Sequence, residues 1–447
     1  MPITQEQEYL IKHTFLDFTQ TSEFLKYPVI ISKAEGLHYW DTEGRKYFDA
    51  IGGIFVASLG HLHPRVMEAM RRQMEKATFV PPLHSISDVA LEFVKKIGSV
   101  TSYDLNFVKP FSGGSESTES AMKFVRQYFK QSGHPGKYKI ISAYLGYHGS
   151  TAGAMAASGT GKRKTPFEPQ MGGFIKVFLP ISFRDRFSDW DECNRFAAQI
   201  VEDVIIHEDP ETVAAIMMEP ISNTGGIATP TEEYFQILRR ICDKYNVVLI
   251  FDEIITGVGK TGSMFAYQTF NVLPDIVCSG KALTSGAIPI GTMIAREHFA
   301  EAFWGPLEKN VQFAHGNTFA GNPLACAAAI AVIDEIVEKR LDLKARENGT
   351  YLRSKLETLK QYEVVREVRG KGILLGVELV KDLKAKTPFP ELGTALKHTA
   401  LKNGLIMRID PNWFAVAPAL IAEKSDIDEM FALIEKSLKE ALDLVRK

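Results

Sequence analysis

The chain lacks the features that mark several protein classes. Its four cysteines, at 193, 242, 278 and 326, are scattered and form no C-x-x-C pair. Neither a disulfide framework nor a metal site is therefore indicated. Lysine and arginine total 52 against 54 for aspartate and glutamate, a formal net charge of −2. Without a basic surplus, we expect no nucleic-acid partner and no anionic membrane surface as a partner.

Long apolar runs are also missing. No stretch approaches the roughly 20 apolar residues that a transmembrane helix needs. The first ten residues, MPITQEQEYL, are polar and acidic, unlike a secretory signal. We therefore expect a cytoplasmic protein.

Short apolar runs alternate with helical patterns through the middle of the 447-residue chain. Such runs, separated by helices, favour an α/β fold with a mainly parallel sheet covered on both faces. The strand candidates are LNFVKPF (105–111), KYKIISA (137–143), VAAIMMEP (213–220), VVLIFDEI (247–254) and DIVCSGKAL (275–283).

The pattern changes after about residue 330. A long helix at 327–340 is followed by VVREVRGKGILLGVEL (364–379), which is typical of antiparallel strands. Residues 426–447 form an amphipathic helical pattern at the C-terminus. These segments predict a second, smaller α+β domain.

Two segments whose residues suit the binding of a cofactor follow the first two strand candidates. SGGSES (112–117) is a small-residue loop that opens a helix, where free N–H groups favour a phosphate, although such loops also form plain turns. YHG (147–149) offers Tyr147 as a stacking ring and His148 as a positioning group, although an aromatic–histidine pair also serves packing.

Two more groups follow later strands. Asp252 ends an apolar strand, where ligands of parallel sheets bind, although it could equally cap a helix. Lys281 follows the next strand among small residues, a setting that lowers the pKa of an amine and activates it, whereas most lysines are exposed loop residues. Together these four groups match the phosphate, ring face, pyridine nitrogen and aldehyde of pyridoxal 5′-phosphate (PLP).

The chain resembles the class III aminotransferases, which are PLP enzymes of fold type I, from about residue 25 to about 435. The resemblance is carried by a set of motifs spread along this span. They are GHLHP (60–64), SGGSES (112–117), YHG (147–149), EP…GG (219–226), DEIITGVGKTG (252–262), SGKALTSG (279–286) and HGNTFAGNP (315–323).

The resemblance implies a large domain with a seven-stranded, mainly parallel sheet between helices, and a small α+β domain built from both termini. We place the N-terminal part of the small domain at 1–75, the PLP-binding domain at 76–328 and the C-terminal part at 329–447. It also implies an obligate homodimer, or a tetramer, with shared active sites.

The resemblance implies roles for individual residues. Lys281 would be the Schiff-base lysine and general acid/base, and Asp252 the partner of the pyridinium nitrogen. The further cofactor contacts would come from the phosphate loop, the two ring faces, a buried acid and the neighbouring subunit. These residues are Gly113, Gly114 and Ser115 for phosphate, Tyr147 and Ile254 for the ring, His148 and Glu219 beside it, and Thr318 for the phosphate of the partner subunit.

A substrate pocket is predicted from the same comparison. Arg408, in GLIMRIDPNWFAVAPALI (404–421), occupies the position at which many ω-transaminases hold the keto-acid carboxylate. Aromatic side chains of the pocket would be Phe55 and Trp413, with Phe79 as a further candidate, although ordinary core packing explains Phe79 and Trp413 equally well.

The resemblance leaves more than one reaction open. The favoured reaction moves an amino group from an amine or ω-amino acid to a keto acid, pyruvate before 2-oxoglutarate, because Ile255 replaces the glutamine of the γ-aminobutyrate and ornithine branch. Ser222 replaces the usual glutamine of the family's EP-x-Q motif, which implies the loss of a polar contact near the cofactor. The class also contains amino-alcohol phosphate phospho-lyases, racemases and decarboxylases. A lyase would need extra cations, and Lys162 and Arg163 are candidates that we expect to be solvated. A third hypothesis is a protein that binds PLP without catalysing a reaction.

Overall fold

The fold is that of a computed structural model, which describes residues 3–102 and 104–446. Its strands are β1 Ile31–Glu35, β2 His38–Asp41, β3 Lys46–Asp49, β4 Leu105–Phe111, β5 Lys139–Ala143, β6 Phe174–Val177, β7 Val213–Met218, β8 Val248–Asp252, β9 Ile276–Gly280, β10 Gly291–Arg296, β11 Val365–Lys371, β12 Leu374–Leu379, β13 Leu405–Ile406, β14 Arg408–Asp410 and β15 Trp413–Val416. Its helices are α1 Gln5–Lys12, α2 Thr21–Phe24, α3 Gly52–Phe55, α4 Pro64–Met74, α5 Asp88–Gly98, α6 Gly114–Gln131, α7 Ala152–Ala157, α8 Gly161–Lys164, α9 Trp190–His207, α10 Glu232–Tyr245, α11 Ala266–Thr269, α12 Glu297–Ala300, α13 Pro323–Glu338, α14 Leu341–Thr358, α15 Pro390–Lys402 and α16 Lys424–Val445.

A seven-stranded sheet with the order β4-β10-β9-β8-β7-β5-β6 forms the centre of the fold. Strands β5 to β9 pair in parallel, which confirms the α/β class predicted from the alternating pattern. Strand β10 runs antiparallel to both of its neighbours, β4 and β9. This strand was not among the strands predicted from the sequence.

The continuous apolar runs of the central strands are explained by burial on both faces of the sheet. Every residue of β7 is buried. Ile216 and Met218 pack into one core cluster with helices α9 and α10, whereas Met217 packs into a second cluster with α6. Because successive side chains point to opposite faces, a strand between two helical layers needs apolar residues at every position.

The termini form two smaller sheets. One has the order β1-β2-β3-β13 and joins N-terminal strands to a C-terminal strand, and the other has the order β11-β12-β15-β14. The hairpin β11–β12 and the helix α16 agree with the patterns at 364–379 and 426–447. The domain boundaries after residues 75 and 328 remain predictions, and the second falls within the continuous helix α13.

Among the described residues, no helix combines the length and apolarity that crossing a lipid bilayer requires.

Candidate active site

Five strands bring chemically active residues to one edge of the central sheet. Asp252 is the last residue of β8, and Lys281 directly follows β9. The loop after β4 leads into helix α6, the YHG segment follows β5, and Glu219 follows β7. Parallel strands end at the same edge of their sheet, so these residues meet although they are far apart in the sequence.

They line a common cavity of about 140 Å³. Its walls contain most of the residues predicted from the sequence, together with Gly149 and Ile255. The lining residues are Gly114, Ser115, Tyr147, His148, Gly149, Glu219, Asp252, Ile254, Ile255 and Lys281.

Asp252 is held at the floor of this cavity by two hydrogen bonds. Nδ1 of His148 lies 2.8 Å from Oδ2 of Asp252, and the backbone N–H of Ile254 donates to Oδ1 at 3.1 Å. Both partners of the His148–Asp252 pair are almost fully buried. Among the described residues, Nε2 of His148 has no hydrogen-bond partner, which leaves a buried polar atom available beside the cavity.

Lys281 presents its amine to the same cavity. Its backbone has a φ of +43°, a left-handed conformation that costs an L-residue roughly 1–2 kcal/mol. Burial lowers the pKa of the Lys281 amine, and the positive charge of Arg163 lowers it further. The carboxylates of Asp252 and Glu219 act in the opposite direction and raise it. The net lowered pKa increases the fraction of neutral, nucleophilic amine.

Glu219 is buried beside these groups. Its Oε2 accepts the backbone N–H of Tyr147 at 3.0 Å, and the hydroxyl of Ser222 donates to the same oxygen at 3.2 Å. Burial raises the pKa of this carboxyl group to about 7. Ser222, which stands in place of the family's usual glutamine, therefore makes a polar contact with Glu219.

The loop before α6 has the geometry of an anion cradle. Gly113 is the N-cap residue and Gly114 the first residue of the 18-residue helix α6, whose first N–H groups have no partner within the helix. A Cβ atom on Gly114 would lie 3.0 Å from Cγ2 of Ile254, so glycine is needed for this close approach. Ser115 accepts the backbone N–H of Ser150 through its hydroxyl at 3.1 Å.

These residues fit PLP. The site offers helix N–H groups for a phosphate, an aromatic and an aliphatic side chain in its lining, a buried carboxylate and an amine with a lowered pKa. The unpartnered Nε2 of His148 and the glycine that permits the close approach of Ile254 to the helix start are consistent with a polar ligand in this cavity.

Arg408 lies in β14 and forms an ion pair with Asp410. Its Nε is 2.7 Å and its Nη2 2.6 Å from Oδ2 of Asp410. The guanidinium also lies 5.7 Å from the ring centroid of Trp413, which is itself buried. Ile409-Asp410-Pro411 thus supplies the arginine with an internal partner.

Six of the predicted residues do not line this cavity: Gly113, Phe55, Phe79, Thr318, Arg408 and Trp413. Phe55 has a φ of +67°, and its ring is only 1% exposed within the main core instead of lining the cavity. Phe79 is 45% exposed and packs edge-on against Phe319. Thr318 is exposed in a turn and is not part of the cavity lining of its own chain.

Of the two cations that the sequence analysis considered near the site, one differs from the expectation. Arg163 was expected to be solvated, but its guanidinium lies 4.9 Å from the ring centroid of Tyr147 and is half-buried. Its neighbour Lys162 is exposed, as expected. The difference arises because the ring of Phe18, from the N-terminal segment, covers Arg163; the guanidinium carbon lies 4.4 Å from the ring centroid. A local sequence pattern cannot predict this long-range contact.

A fold of this kind, with an amine and a carboxylate at the strand ends around a phosphate cradle, defines a PLP-dependent transaminase. The sequence agrees: residues 20–438 match the family described as aminotransferase class-III. The chain belongs to that family and is a PLP-dependent aminotransferase.

Curated relatives with different substrates are similar over nearly the whole chain. An acetylornithine aminotransferase from Clostridium acetobutylicum is 35% identical, covering 93% of this chain and 97% of its own. A putrescine–pyruvate aminotransferase from Pseudomonas aeruginosa is 32% identical, covering 95% of this chain and 93% of its own. Among solved structures, the omega transaminase from Pseudomonas jessenii in complex with PMP superposes with a TM-score of 0.94 at 29% identity, covering 99% of each chain.

Proposed function

We propose that this enzyme takes an amino group from an amine or ω-amino acid and gives it to a keto acid, with pyruvate as the preferred acceptor, in two successive half-reactions. The observation that carries the proposal is the meeting of the Lys281 amine and the buried Asp252 carboxylate in one cavity. The similarity to the putrescine–pyruvate aminotransferase and to the omega transaminase supports the choice of substrates.

PLP supplies a carbonyl group for the amine and a ring that accepts the electron pair of the substrate carbon. In this proposal Lys281 would hold the cofactor and would move a proton to and from the substrate carbon. Asp252 would face the pyridine nitrogen, and the hydrogen bond from His148 fixes the orientation of the Asp252 carboxylate. The lowered pKa of Lys281 suits this task, because a base must be neutral to accept a proton.

The remaining cavity residues bind and orient. Gly113, Gly114 and Ser115 would hold the phosphate at the start of α6. Tyr147 and Ile254 would enclose the ring from its two faces. Glu219 would stabilise the loop of Tyr147 through the backbone hydrogen bond that it already accepts.

Arg408 would bind the carboxylate of the keto acid. A guanidinium pairs with a carboxylate through two parallel hydrogen bonds, and Asp410 is a carboxylate that already occupies this position. A keto acid would therefore have to displace Asp410 or share the guanidinium with it. A plain amine leaves the internal pair intact, so one pocket accommodates both kinds of substrate. Trp413 would form a wall beside Arg408.

We also propose that the enzyme works as a homodimer, or a tetramer, in the cytoplasm. Thr318 is exposed in a turn and lies outside the cavity of its own chain, which supports a role for it at the phosphate of the partner subunit. The nearby His315 hydrogen-bonds Ser120 of helix α6 at 2.7 Å and ties this segment to the helix that begins at the phosphate loop.

A half-reaction experiment tests the proposed function. The PLP-loaded enzyme is mixed with a panel of amines and ω-amino acids, and the cofactor absorbance is followed without any keto acid. We expect conversion to the pyridoxamine form, reversed on adding pyruvate. Borohydride reduction followed by peptide mapping should place the cofactor on Lys281. Release of phosphate or carbon dioxide instead, or a label on the nearby buried Lys260, would contradict the proposal.

A further inference from the structure

Arg163, in the short helix α8, lies beside Tyr147 of the proposed active site. Its guanidinium carbon is 4.4 Å from the ring centroid of Phe18 and 4.9 Å from that of Tyr147. Two aromatic rings thus hold the side chain in one place. The positive charge of Arg163 is close enough to Lys281 to lower the pKa of the Lys281 amine. The guanidinium and this amine therefore interact electrostatically.

Arg163 lies near a second cation, Arg408. Burial lowers the pKa of Arg163 and the charge of Arg408 lowers it further, whereas Tyr147 and Asp410 act in the opposite direction. Asp410 is committed to Arg408 by contacts of 2.6 and 2.7 Å. Within residues 3–102 and 104–446, no carboxylate lies at ion-pair distance from Arg163. A half-buried cation without a partner is costly, and an anionic ligand would compensate it.

The space beside Arg163 has a distinct chemistry. A cavity of about 270 Å³ adjoins the Lys281 cavity and shares Tyr147 and Gly149 with it. The rest of its lining combines apolar residues, two serines and two cations. These residues are Phe18, Met155 and Phe167, Ser150 and Ser158, and Arg163 and Lys164. Such a space fits a hydrocarbon chain that ends in an anion.

We propose that Arg163 binds the carboxylate of the amino donor, and that the preferred donor is an ω-amino acid whose amine and carboxylate are separated by an apolar chain. The proposal rests on the transaminase function and assigns the carboxylates of the two substrates to two different arginines. Arg408 receives the keto acid in the second half-reaction, and Arg163 receives the donor in the first. Phe18, Met155 and Phe167 contact the intervening methylene groups.

Matched donors test this division. Each ω-amino acid is paired with the alkylamine that lacks its carboxylate: 4-aminobutyrate with propylamine, and 5-aminopentanoate with butylamine. The rate of the donor half-reaction is followed by cofactor absorbance in the wild type and in Arg163→Gln. We expect the wild type to prefer the amino acid of each pair. In the variant, the ratio of kcat/KM between amino acid and alkylamine should fall about ten- to a hundredfold, as expected for a lost charge-assisted pair.

Lys162→Gln is the matched control, because it removes the same charge from the exposed neighbouring residue. It should leave the ratio unchanged, and Arg163→Lys should recover part of it. A second readout needs no turnover: the dissociation constant of pentanoate, an unreactive carboxylate, should rise in Arg163→Gln and not in Lys162→Gln.

The outcomes separate this proposal from the function on which it rests. An equal loss for both members of each pair would mean that Arg163 only supports the fold around Tyr147. An unchanged ratio would place the carboxylate elsewhere. In both cases, continued conversion of butylamine with pyruvate as acceptor would leave the transaminase function standing, whereas no conversion of any donor by the wild type would overturn that function itself.

Discussion

Nδ1 of His148 lies 2.8 Å from Oδ2 of Asp252, and both side chains are almost fully buried. The two residues come from the ends of different strands, β5 and β8, so the contact depends on the parallel order of the sheet. It fixes the plane of the carboxylate that faces the cavity. In the proposed function, His148 would position the carboxylate of Asp252, and that carboxylate would contact the cofactor.

Replacing the carboxylate should separate its chemical role from its structural one. Asp252→Asn keeps the shape, so PLP should still bind, but the rate of the donor half-reaction should fall at least a hundredfold, which corresponds to about 2.7 kcal/mol of transition-state stabilisation. Stopped-flow absorbance measures this rate. Glu253→Gln is the control, because Glu253 accepts backbone N–H groups of Ala266 and Tyr267 and should affect the melting temperature more than the rate. Near-normal turnover of Asp252→Asn would show that Asp252 is structural.

Two adjacent glycines should differ sharply in their tolerance of alanine. In Gly114→Ala the new Cβ would meet Cγ2 of Ile254 at 3.0 Å, whereas Gly113 has no atom within 4 Å of such a Cβ and an extended φ of −173°. We expect Gly114→Ala to weaken PLP binding and Gly113→Ala to change it little. Equilibrium dialysis measures both dissociation constants. The additional change Ile254→Val should restore part of the binding to Gly114→Ala, and failure to do so would point to a different cause.

Thr318 tests the shared active site. If its hydroxyl binds the phosphate held by the partner subunit, Thr318→Ala should release PLP faster while leaving the dimer intact. Cofactor release on dilution and sedimentation velocity measure these two properties. Thr358→Ala, at an exposed threonine that ends helix α14, is the control. A fully active monomer would contradict both the role of Thr318 and the dimer.

Arg408 should matter in one half-reaction only. Arg408→Ala removes a charge-assisted pair worth about 1.5–3 kcal/mol, so KM for pyruvate should rise about ten- to a hundredfold. The half-reaction with a plain amine should change little, because that substrate does not use the guanidinium. Asp410→Asn is informative in the opposite sense: it removes the internal competitor and should lower KM for pyruvate. Equal damage to both half-reactions in Arg408→Ala would indicate a structural arginine.

The pH dependence of the donor half-reaction should move in opposite directions in two variants. Arg163 lowers the pKa of Lys281 and Glu219 raises it. Arg163→Gln should therefore move the acid limb of the profile to higher pH, and Glu219→Gln should move it to lower pH. Because burial raises the pKa of Glu219 to about 7, its charge is present mainly above that pH, and the Glu219→Gln profile should diverge there. Butylamine as donor keeps carboxylate binding out of the comparison. Shifts in the same direction would contradict the electrostatic account.

The sequence predicted those parts of the fold that depend on local pattern. Strand β7 was visible because burial on both faces requires an unbroken apolar run, and the helix α6 was visible from its periodic apolar face. Strand β10, GTMIAR, was missed, because a short run that follows a glycine- and proline-containing loop and ends in arginine has no clear pattern. Its position between β4 and β9 depends on long-range pairing.

The candidate site divides in the same way. Asp252 and Lys281 were predicted because a strand end can be located in the sequence and carries its own polar residue. The surroundings of Arg163 were not predicted, because Phe18, which packs against Arg163, comes from the distant N-terminal segment. Phe55 was predicted from its loop to line the substrate pocket; its ring lies in the main core, and its role in substrate binding stays a prediction. Side-chain direction after a glycine pair depends on dihedral angles that a residue pattern does not determine.

The proposed site residues cluster at the edge where the parallel strands end, and this leaves the opposite edge free for engineering. Residues 132–136, in the connection between α6 and β5, lie there and are exposed at every position. A purification tag, a fluorescent reporter or a tether to a solid support inserted in this turn would be separated from the cavity by the full length of the strands. The layout therefore offers an attachment point for an immobilised biocatalyst that keeps the substrate entrance facing outward.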